Sequence, residues 1–417
     1  MKKLYLSTEG FPYGTTEKSF ILPELEELCK FFEVVIISHA KDMVYREKKN
    51  ETLLSRTVKV YNIDVKLQWY KRIFYGFRFF FDRDGWHEIE DIMRSKEKIF
   101  YRLYQSIGFY ALALENYRMM REIGLLQEDE NAVYYSYWYF YYTYSLTRHT
   151  AEYPNVKLVT RTHGFDLYEE RYNGGRQPFK KIMDVALDKI VFISEHGKKY
   201  YLKRWGGNEK KKYTLSYLGS KRETLVPLRQ DMLSSEKQFC LVSCSALIPL
   251  KRVELIVRAL SLLEEEIEWI HFGDGPDKKK LLIMANRLLG AKRNISWQIK
   301  GSIPNEDIQN FYAIKYVHCF ITTSETEGLP VSIQEAISFG IPFIATNVGG
   351  IPELFNDNGI LLNKNPSVEE VAEAIRKIIH MEKKEYEICR KNSFEIWERK
   401  YDAKKNSKAF VEMLMNL

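Results

Sequence analysis

No stretch of the sequence reaches roughly 18 consecutive apolar residues, so a membrane-spanning helix is not expected. The opening Met1-Lys2-Lys3 has the basic start of a secretion signal, but Glu9 and Gly10-Phe11-Pro12 interrupt any apolar stretch behind it. That opening reads instead as a first buried strand. Cysteine is scarce: five residues, at 29, 240, 244, 319 and 389, odd in number and without a Cys-x-x-Cys pair. Such usage argues against a disulfide or metal role and fits a reducing compartment, with 240, 244 and 319 acting as small apolar side chains in or beside strands. No Asp-x-Asp pair stands out as a divalent-ion site, and no metal is expected. No internal repeat is evident. The excess of positive charge is small, +7 over 417 residues. It favours anionic partners, a phospholipid surface included, and a nucleic acid is not expected.

What is present is globular: 45% hydrophobic and 29% charged residues, in a chain long enough for two domains with separate cores. The second half alternates short apolar runs (239–244, 268–272, 294–297, 317–322, 342–345, 359–362) with helix-like stretches (252–263, 278–289, 305–312, 331–339, 367–380). The last stretch opens with a capping box, Ser367-x-x-Glu370. This alternation predicts an α/β domain whose parallel sheet is covered on both faces, of Rossmann type. The first half follows the same logic less regularly. Strands are expected at 3–7, 33–38, 132–135, 157–162 and 189–194, with a helix over 17–30 entered near Pro23. A charged linker carrying Pro227 is expected around 216–238, and 382–417 reads as helix. Two such domains facing one another would place a ligand in the cleft at the carboxyl ends of their strands.

The segment 323–342 is the most informative. Glu327 and Glu335 are separated by seven residues, and Gly328-Leu329-Pro330 follows the first directly. Gly328 and Pro330 mark a turn, and 331–339 reads as a helix with Pro330 at its first position. The exposed N–H groups at that helix start suit a phosphate, and a neighbouring carboxylate can accept from paired hydroxyls. Diphosphate plus polyol describes a nucleotide sugar.

This segment resembles the glutamate-x7-glutamate motif of the retaining family-4 glycosyltransferases, which have the GT-B fold. The resemblance continues through Ala345-Thr-Asn-Val-Gly349-Gly350-Ile-Pro-Glu353, Gly273-Asp-Gly-Pro276 and Leu247-Ile-Pro-Leu-Lys251-Arg252, in family order over 240–355. It implies two Rossmann-like domains facing across a cleft: an acceptor-side domain over 1–216, rejoined by a crossover helix at 396–417, and a nucleotide-sugar domain over 217–395. It also implies a hexosyltransferase that needs no cofactor and no metal.

The resemblance gives roles to individual residues. Lys251 matches the lysine that holds the donor diphosphate. Arg252 would supply the charge of an arginine often found where this chain has Ala246. Glu335 matches the acceptor of the ribose hydroxyl bonds. Glu327 faces the transferred sugar, supported by the backbone of Gly328, Leu329 and Pro330. Gly349 and Gly350 would let backbone amides approach the pyrophosphate. The segment Glu9-Gly10-Phe-Pro-Tyr-Gly14-Thr-Thr-Glu17 resembles the family's first glycine loop but lacks its doubled glycine, with Gly14 placed near the leaving phosphate. His163, in Arg161-Thr-His163-Gly164-Phe-Asp166, looks like the family's His-Gly-x-Asp segment and would line the sugar pocket. Glu327, Lys251 and His163 are the expected catalytic residues. No carboxylate nucleophile is evident, so a same-face route fits, in which the leaving diphosphate takes the acceptor proton.

Leu67, Tyr70, Phe74, Phe77 and Phe81 recur at helical spacing over 66–81, with Lys71, Arg72 and Arg78 off that stripe. This is the pattern of an interfacial helix, and equally of a core-facing one; sequence leaves both open. A second basic run, 198–222, includes Lys210-Lys211-Lys212 and reads as solvated surface or as a face toward anionic lipid. The tyrosines of 134–144 read as a packed helix or an acceptor groove. Many relatives build bacterial capsule, exopolysaccharide or lipopolysaccharide on a polyprenyl-diphosphate carrier at the cytoplasmic face. The resemblance therefore implies a glycan or polyprenyl-linked acceptor and a cytoplasmic protein, peripheral at the inner face of the plasma membrane. Competing readings are a nucleotide-sugar epimerase or phosphorylase on the same fold, and a non-catalytic partner subunit. The Gly-Leu-Pro context and the joint presence of Glu327, Glu335 and Lys251 favour transfer.

Overall fold

The structure is a computed structural model that describes residues 1–14, 17–48, 58–172, 174–207, 209–222 and 238–417. The chain divides into two compact units, Met1–Tyr217 with Ser407–Leu417, and Leu218–Asn406. The linker expected over 216–238 falls largely outside the described residues, Pro227 included.

The first unit runs β1 (Lys2–Thr8), α1 (Lys18–Phe31), β2 (Phe32–Ser38), α2 (Asp42–Lys48), β3 (Lys59–Asn62), α3 (Trp69–Phe81), α4 (Arg83–Ser95), α5 (Ile99–Glu122), β4 (Val133–Ser136), α6 (Tyr141–Glu152), β5 (Lys157–Thr162), α7 (Lys180–Ala186), β6 (Lys189–Phe192), α8 (Glu195–Arg204) and β7 (Tyr213–Leu215). Its strands form one parallel sheet in the order β3-β2-β1-β4-β5-β6-β7. Leu4 sits opposite Val34 on one side and Val133 on the other. Sequence reading passed over β3 and β7, the two edge strands. Pro23 lies inside α1, in its second turn, rather than at the entry.

Aromatic side chains dominate this unit's core, which includes Phe79, Tyr110, Tyr134, Tyr139, Tyr144, Phe179 and Tyr201. Several of the buried hydroxyls find partners: Tyr134 Oη donates to Leu125 O at 2.9 Å, Tyr144 Oη to Asp84 at 2.7 Å and Tyr201 Oη to Asp184 at 2.8 Å, while those of Tyr135, Tyr137 and Tyr142 have none among the described residues. Such bonds offset the cost of burying a hydroxyl. The tyrosine-rich segment is therefore packed core, with Tyr134, Tyr135, Tyr137, Tyr139, Tyr142 and Tyr144 all buried.

The second unit runs β8 (Phe239–Cys244), α9 (Val253–Ser261), β9 (Ile267–Phe272), α10 (Lys278–Leu289), β10 (Ile295–Gly301), α11 (Asn305–Ile314), β11 (Cys319–Thr322), α12 (Val331–Ser338), β12 (Phe343–Thr346), β13 (Gly359–Leu362), α13 (Val368–Ile379) and α14 (Lys383–Ile396). The parallel sheet order is β10-β9-β8-β11-β12-β13. Its inner strands β8, β9, β11 and β12 are short and buried on both faces, as parallel strands covered by helices require. Leu241, Val257, Leu260, Trp269, Ile321 and Ile344 lie in its core. Ser367 caps α13 by accepting from Glu370 N at 3.1 Å, but Glu370 does not return the bond. Its carboxylate accepts from Asn363 N and Nδ2 instead, tying the end of β13 to the helix. The last helix, α15 (Ala403–Met415), ends among first-unit residues, where Phe410 packs on Tyr135 and under the Arg161 guanidinium at 4.2 Å.

Candidate functional site

In the second unit the sheet order reverses at β8, which pairs with β9 on one side and β11 on the other. The connections leaving β8 and β11 part in opposite directions, opening a crevice at the carboxyl ends of these strands. Residues 245–252 and 323–330 form its two lips, so the lysine motif and the Glu-Gly-Leu-Pro turn face each other because of strand order.

The lips are stitched together. Arg252 has left-handed backbone, φ +47°, and its guanidinium donates to Thr323 O at 2.7 Å, Ser324 O at 3.0 Å and Lys364 O at 2.9 Å. Thr323 Oγ1 donates back to Arg252 O at 2.9 Å, and Glu325 N donates to Leu250 O at 2.9 Å. The guanidinium expected to meet a phosphate is thus committed to holding the opposite lip. Ala246 is exposed at the first lip.

Lys251 pairs with Glu327 across the crevice. Glu327 is buried and Lys251 partly so, and their contact places a cation and a carboxylate beside the start of α12. Pro330 is the residue before that helix rather than its first, with extended backbone, and Leu329 is buried beneath it. Gly349 and Gly350 reach the same turn from β12. Gly349 has φ +56°, and a Cβ there would lie 1.8 Å from Glu327 O. Gly350 N donates to Gly328 O at 2.8 Å. The two glycines therefore fix the backbone of Glu327 and Gly328, a role that spacing alone did not reveal.

Glu335 lies on α12, buried, and accepts one side-chain hydrogen bond, from Asn305 Nδ2 at 2.6 Å. Asn305 is oriented by Gln309 Nε2 at 3.1 Å. Burial pushes the Glu335 carboxyl up to about 7, and the Asn305 amide offsets only part of that. Tyr312 is buried nearby, and its hydroxyl has no hydrogen-bond partner among the described residues. The Cys244 thiol, at the end of β8, is pushed up to about 12 by burial and by the Glu335 charge. Sequence reading missed Asn305, Gln309 and Tyr312. An asparagine at a helix start reads as a cap, and only the fold turns Asn305 toward α12.

In the first unit the sheet order reverses between β1 and β4. The loop after β1 wraps around Glu17, which is buried. The Glu17 carboxylate accepts from Glu9 N at 3.1 Å, Gly10 N at 2.6 Å, Phe11 N at 2.7 Å and Trp138 Nε1 at 2.5 Å. Gly14 N donates to Gly10 O at 2.7 Å. The amides at the head of this loop already hold an internal carboxylate.

His163 follows β5 and is buried between Trp138 and Tyr137, with ring centroids at 4.2 and 5.0 Å. Asp166 accepts from His163 N at 2.6 Å and Tyr139 N at 2.8 Å. Burial alone would raise the Asp166 carboxyl, but His163 and these bonds hold it below its usual value. His163 Nδ1 lies 3.7 Å from Asp166 Oδ2. Neither ring nitrogen has a hydrogen-bond partner among the described residues. Such an imidazole retains the capacity to donate or accept a hydrogen bond.

One Asp-x-Asp pair does occur, Asp82 and Asp84 at the start of α4. Its carboxylates are taken by Arg148, at 2.6 and 3.5 Å, and by the Tyr110 and Tyr144 hydroxyls. Among the described residues no three His, Cys, Asp or Glu side chains cluster as a metal site.

Comparison with known proteins adds to this geometry. The family model described as "Glycosyl transferases group 1" matches residues 227–395. A protein of Bacillus subtilis (strain 168) named "Putative teichuronic acid biosynthesis glycosyltransferase TuaC" is 26% identical over 265 residues, covering 62% of this chain and 64% of that relative. The O-antigen biosynthesis glycosyltransferase WbnH of Escherichia coli is 26% identical over 213 residues, covering 50% of this chain and 56% of that protein. The matches thus span less than two thirds of these relatives' lengths. Among solved structures, Anabaena Alr3699/HepE in complex with UDP and glucose superposes with a TM-score of 0.66 at 16% identity, covering both chains completely. At that identity the likeness shows the fold, which is α/β with two Rossmann-like parallel sheets, of GT-B type.

Proposed function

We propose that the chain is a retaining glycosyltransferase of family-4 type. It moves a sugar from a nucleoside diphosphate donor to a glycan or polyprenyl-linked acceptor in bacterial surface-polysaccharide synthesis. The single observation that carries this reading is Glu335: a buried carboxyl with one side-chain hydrogen bond, from Asn305. A group left so poorly served is costly unless a ligand completes it, and paired ribose hydroxyls are ideal donors to it. The glycosyltransferase names of the relatives and the UDP held by HepE support a nucleotide-sugar donor.

Lys251 offsets the donor diphosphate charge at the mouth of α12, and Glu327 faces the sugar. His163 offers its free ring nitrogens to a sugar hydroxyl. The bond from the anomeric carbon to the diphosphate oxygen breaks. The acceptor oxygen bonds that carbon on the same face, and its proton passes to the leaving diphosphate. Charge stabilisation by Lys251 is the protein's main contribution to that step. The reaction needs no divalent ion, and the protein works at the inner face of the plasma membrane.

The test is a calorimetric and thermal-shift screen against UDP-, GDP- and ADP-linked sugars, since a ligand that binds the folded state raises its stability by mass action. One nucleotide class is expected to stabilise the protein, and Glu335→Ala to abolish the effect. Lys251→Ala should lower turnover on the identified donor by roughly a hundredfold. Well-folded protein that ignores the whole panel, or wild-type kinetics in both variants, would sink the reading. Turnover lost in EDTA and restored by magnesium would remove its metal-free part.

A further inference from the structure

The aromatic helix α3 contains more large apolar residues than one face can bury. Tyr75 and Phe79 point inward, Phe79 against Tyr110 and Phe179. Trp69, Tyr70, Ile73, Phe74, Phe77, Phe80 and Phe81 are exposed, from 41% for Phe80 to 84% for Phe81. At 3.6 residues per turn these seven fall within an arc of about 140°, centred opposite Tyr75 and Phe79. Four of the five stripe residues read from the sequence belong to this outward arc. The fifth, Leu67, precedes the helix and packs against the core.

Charge frames the arc. The helix carries Lys71, Arg72 and Arg78 and no acid. Lys71 is drawn inward to Glu115, whose carboxylate also binds Tyr75 and Arg118. Exposed Arg78 lies just beyond one edge of the arc and exposed Arg72 beyond the other. Neighbouring α5 exposes Phe100, Tyr101 and Tyr104, and Lys96 and Lys98, also exposed, lie just before it. Scattered apolar residues need no explanation, but a contiguous aromatic face does.

We infer that the outer face of α3 is a docking surface for an anionic phospholipid bilayer, in which the helix lies parallel to the membrane plane. Aromatic rings on one face, arginines on both flanks and no carboxylate on the helix match the layers of such an interface: acyl boundary in the middle, phosphate headgroups at the sides. A second copy of the chain would place like charges against each other along both flanks, which disfavours it. No described helix is long and apolar enough to cross a membrane. This inference deepens the inner-membrane part of the proposed function but does not depend on the transfer chemistry.

The test is co-sedimentation of the full chain with vesicles of phosphatidylcholine, alone or mixed with phosphatidylglycerol, at low and high salt. The wild type is expected to prefer the anionic vesicles and to lose part of that preference in high salt. Phe74→Ser with Phe77→Ser should cut binding about tenfold or more. Arg72→Glu with Arg78→Glu should remove the anionic preference. Both pairs are exposed, so unchanged thermal unfolding is the check that each variant folds. Wild-type protein that stays in solution with both vesicles overturns the inference, as does a Phe74→Ser, Phe77→Ser variant that binds like the wild type. A dimer in light scattering that this variant dissolves, with no vesicle binding, assigns the face to a second copy instead. Nucleotide binding measured in the same samples separates the two proposals: lipid binding without it spares this one and removes the transferase.

Discussion

Glu335→Gln tests the site most sharply, because its effects on stability and on ligand binding have opposite signs. Moving a carboxyl from its ordinary 4.5 to about 7 makes its ionised form roughly 3 kcal/mol more costly in the folded protein than in the unfolded chain. Below the unfolded value the group is protonated in both states and the cost is absent. As pH rises through the folded value the cost appears in full, so the wild type loses stability across this window. Glutamine keeps an oxygen to accept from Asn305 and never ionises. Urea denaturation of both proteins from about pH 4.5 to 8 should show the variant gaining on the wild type by up to roughly 3 kcal/mol toward the alkaline end. Acid effects elsewhere cancel in the difference. The identified nucleotide, if it binds the carboxylate, should bind the wild type more tightly as pH rises through this window and bind the variant weakly at every pH. Parallel stability curves for the two proteins would falsify the assignment of Glu335 as a strained, ligand-awaiting carboxyl.

Gly349→Ala forces a side chain into left-handed backbone and against Glu327 O, 1.8 Å away. The backbone term alone costs about 1–2 kcal/mol, so a lower melting temperature together with weaker nucleotide binding is expected, and unchanged binding would detach the glycines from the site. Glu17→Ala strips the acceptor from three backbone amides and the Trp138 indole. A loss of about 3 kcal/mol or more is expected, with faster hydrogen exchange at residues 9–11; unchanged exchange would show that another group holds the loop.

Legibility in the sequence followed the physics of each element. The inner strands of the second unit, β8, β9, β11 and β12, were readable because each is a short, mostly apolar run buried on both faces. Strand β3, Lys59–Asn62, alternates exposed and half-buried residues at a sheet edge, and β7 has only three residues. Neither offers an apolar run to detect. The direction of α3 was unreadable for the opposite reason. Rings occupy most of its circumference, and periodicity then cannot say which face is covered. The roles of Arg252 and Glu370 depended on partners chosen by the fold. Thr323 O and Lys364 O lie 71 and 112 residues beyond Arg252, and nothing local announces them.

The site motifs converge on one turn. Strand order places the loops after β8 and β11 on either side of a crevice, and a crevice alone would leave Glu327 on a free loop. Arg252 anchors the turn's approach at Thr323 and Ser324, while Gly349 and Gly350 pin Glu327 and Gly328 from β12. Glu327 is held from both directions before any ligand arrives, and pairing with Lys251 keeps its buried charge from standing alone. An ammonium has three N–H donors, and Glu327 takes one. A phosphate entering at the mouth of α12 can therefore engage Lys251 without breaking that pair. On the proposed reading, this ion pair is half of the donor's anion site, with Arg252 and the paired glycines as the frame that keeps it in place.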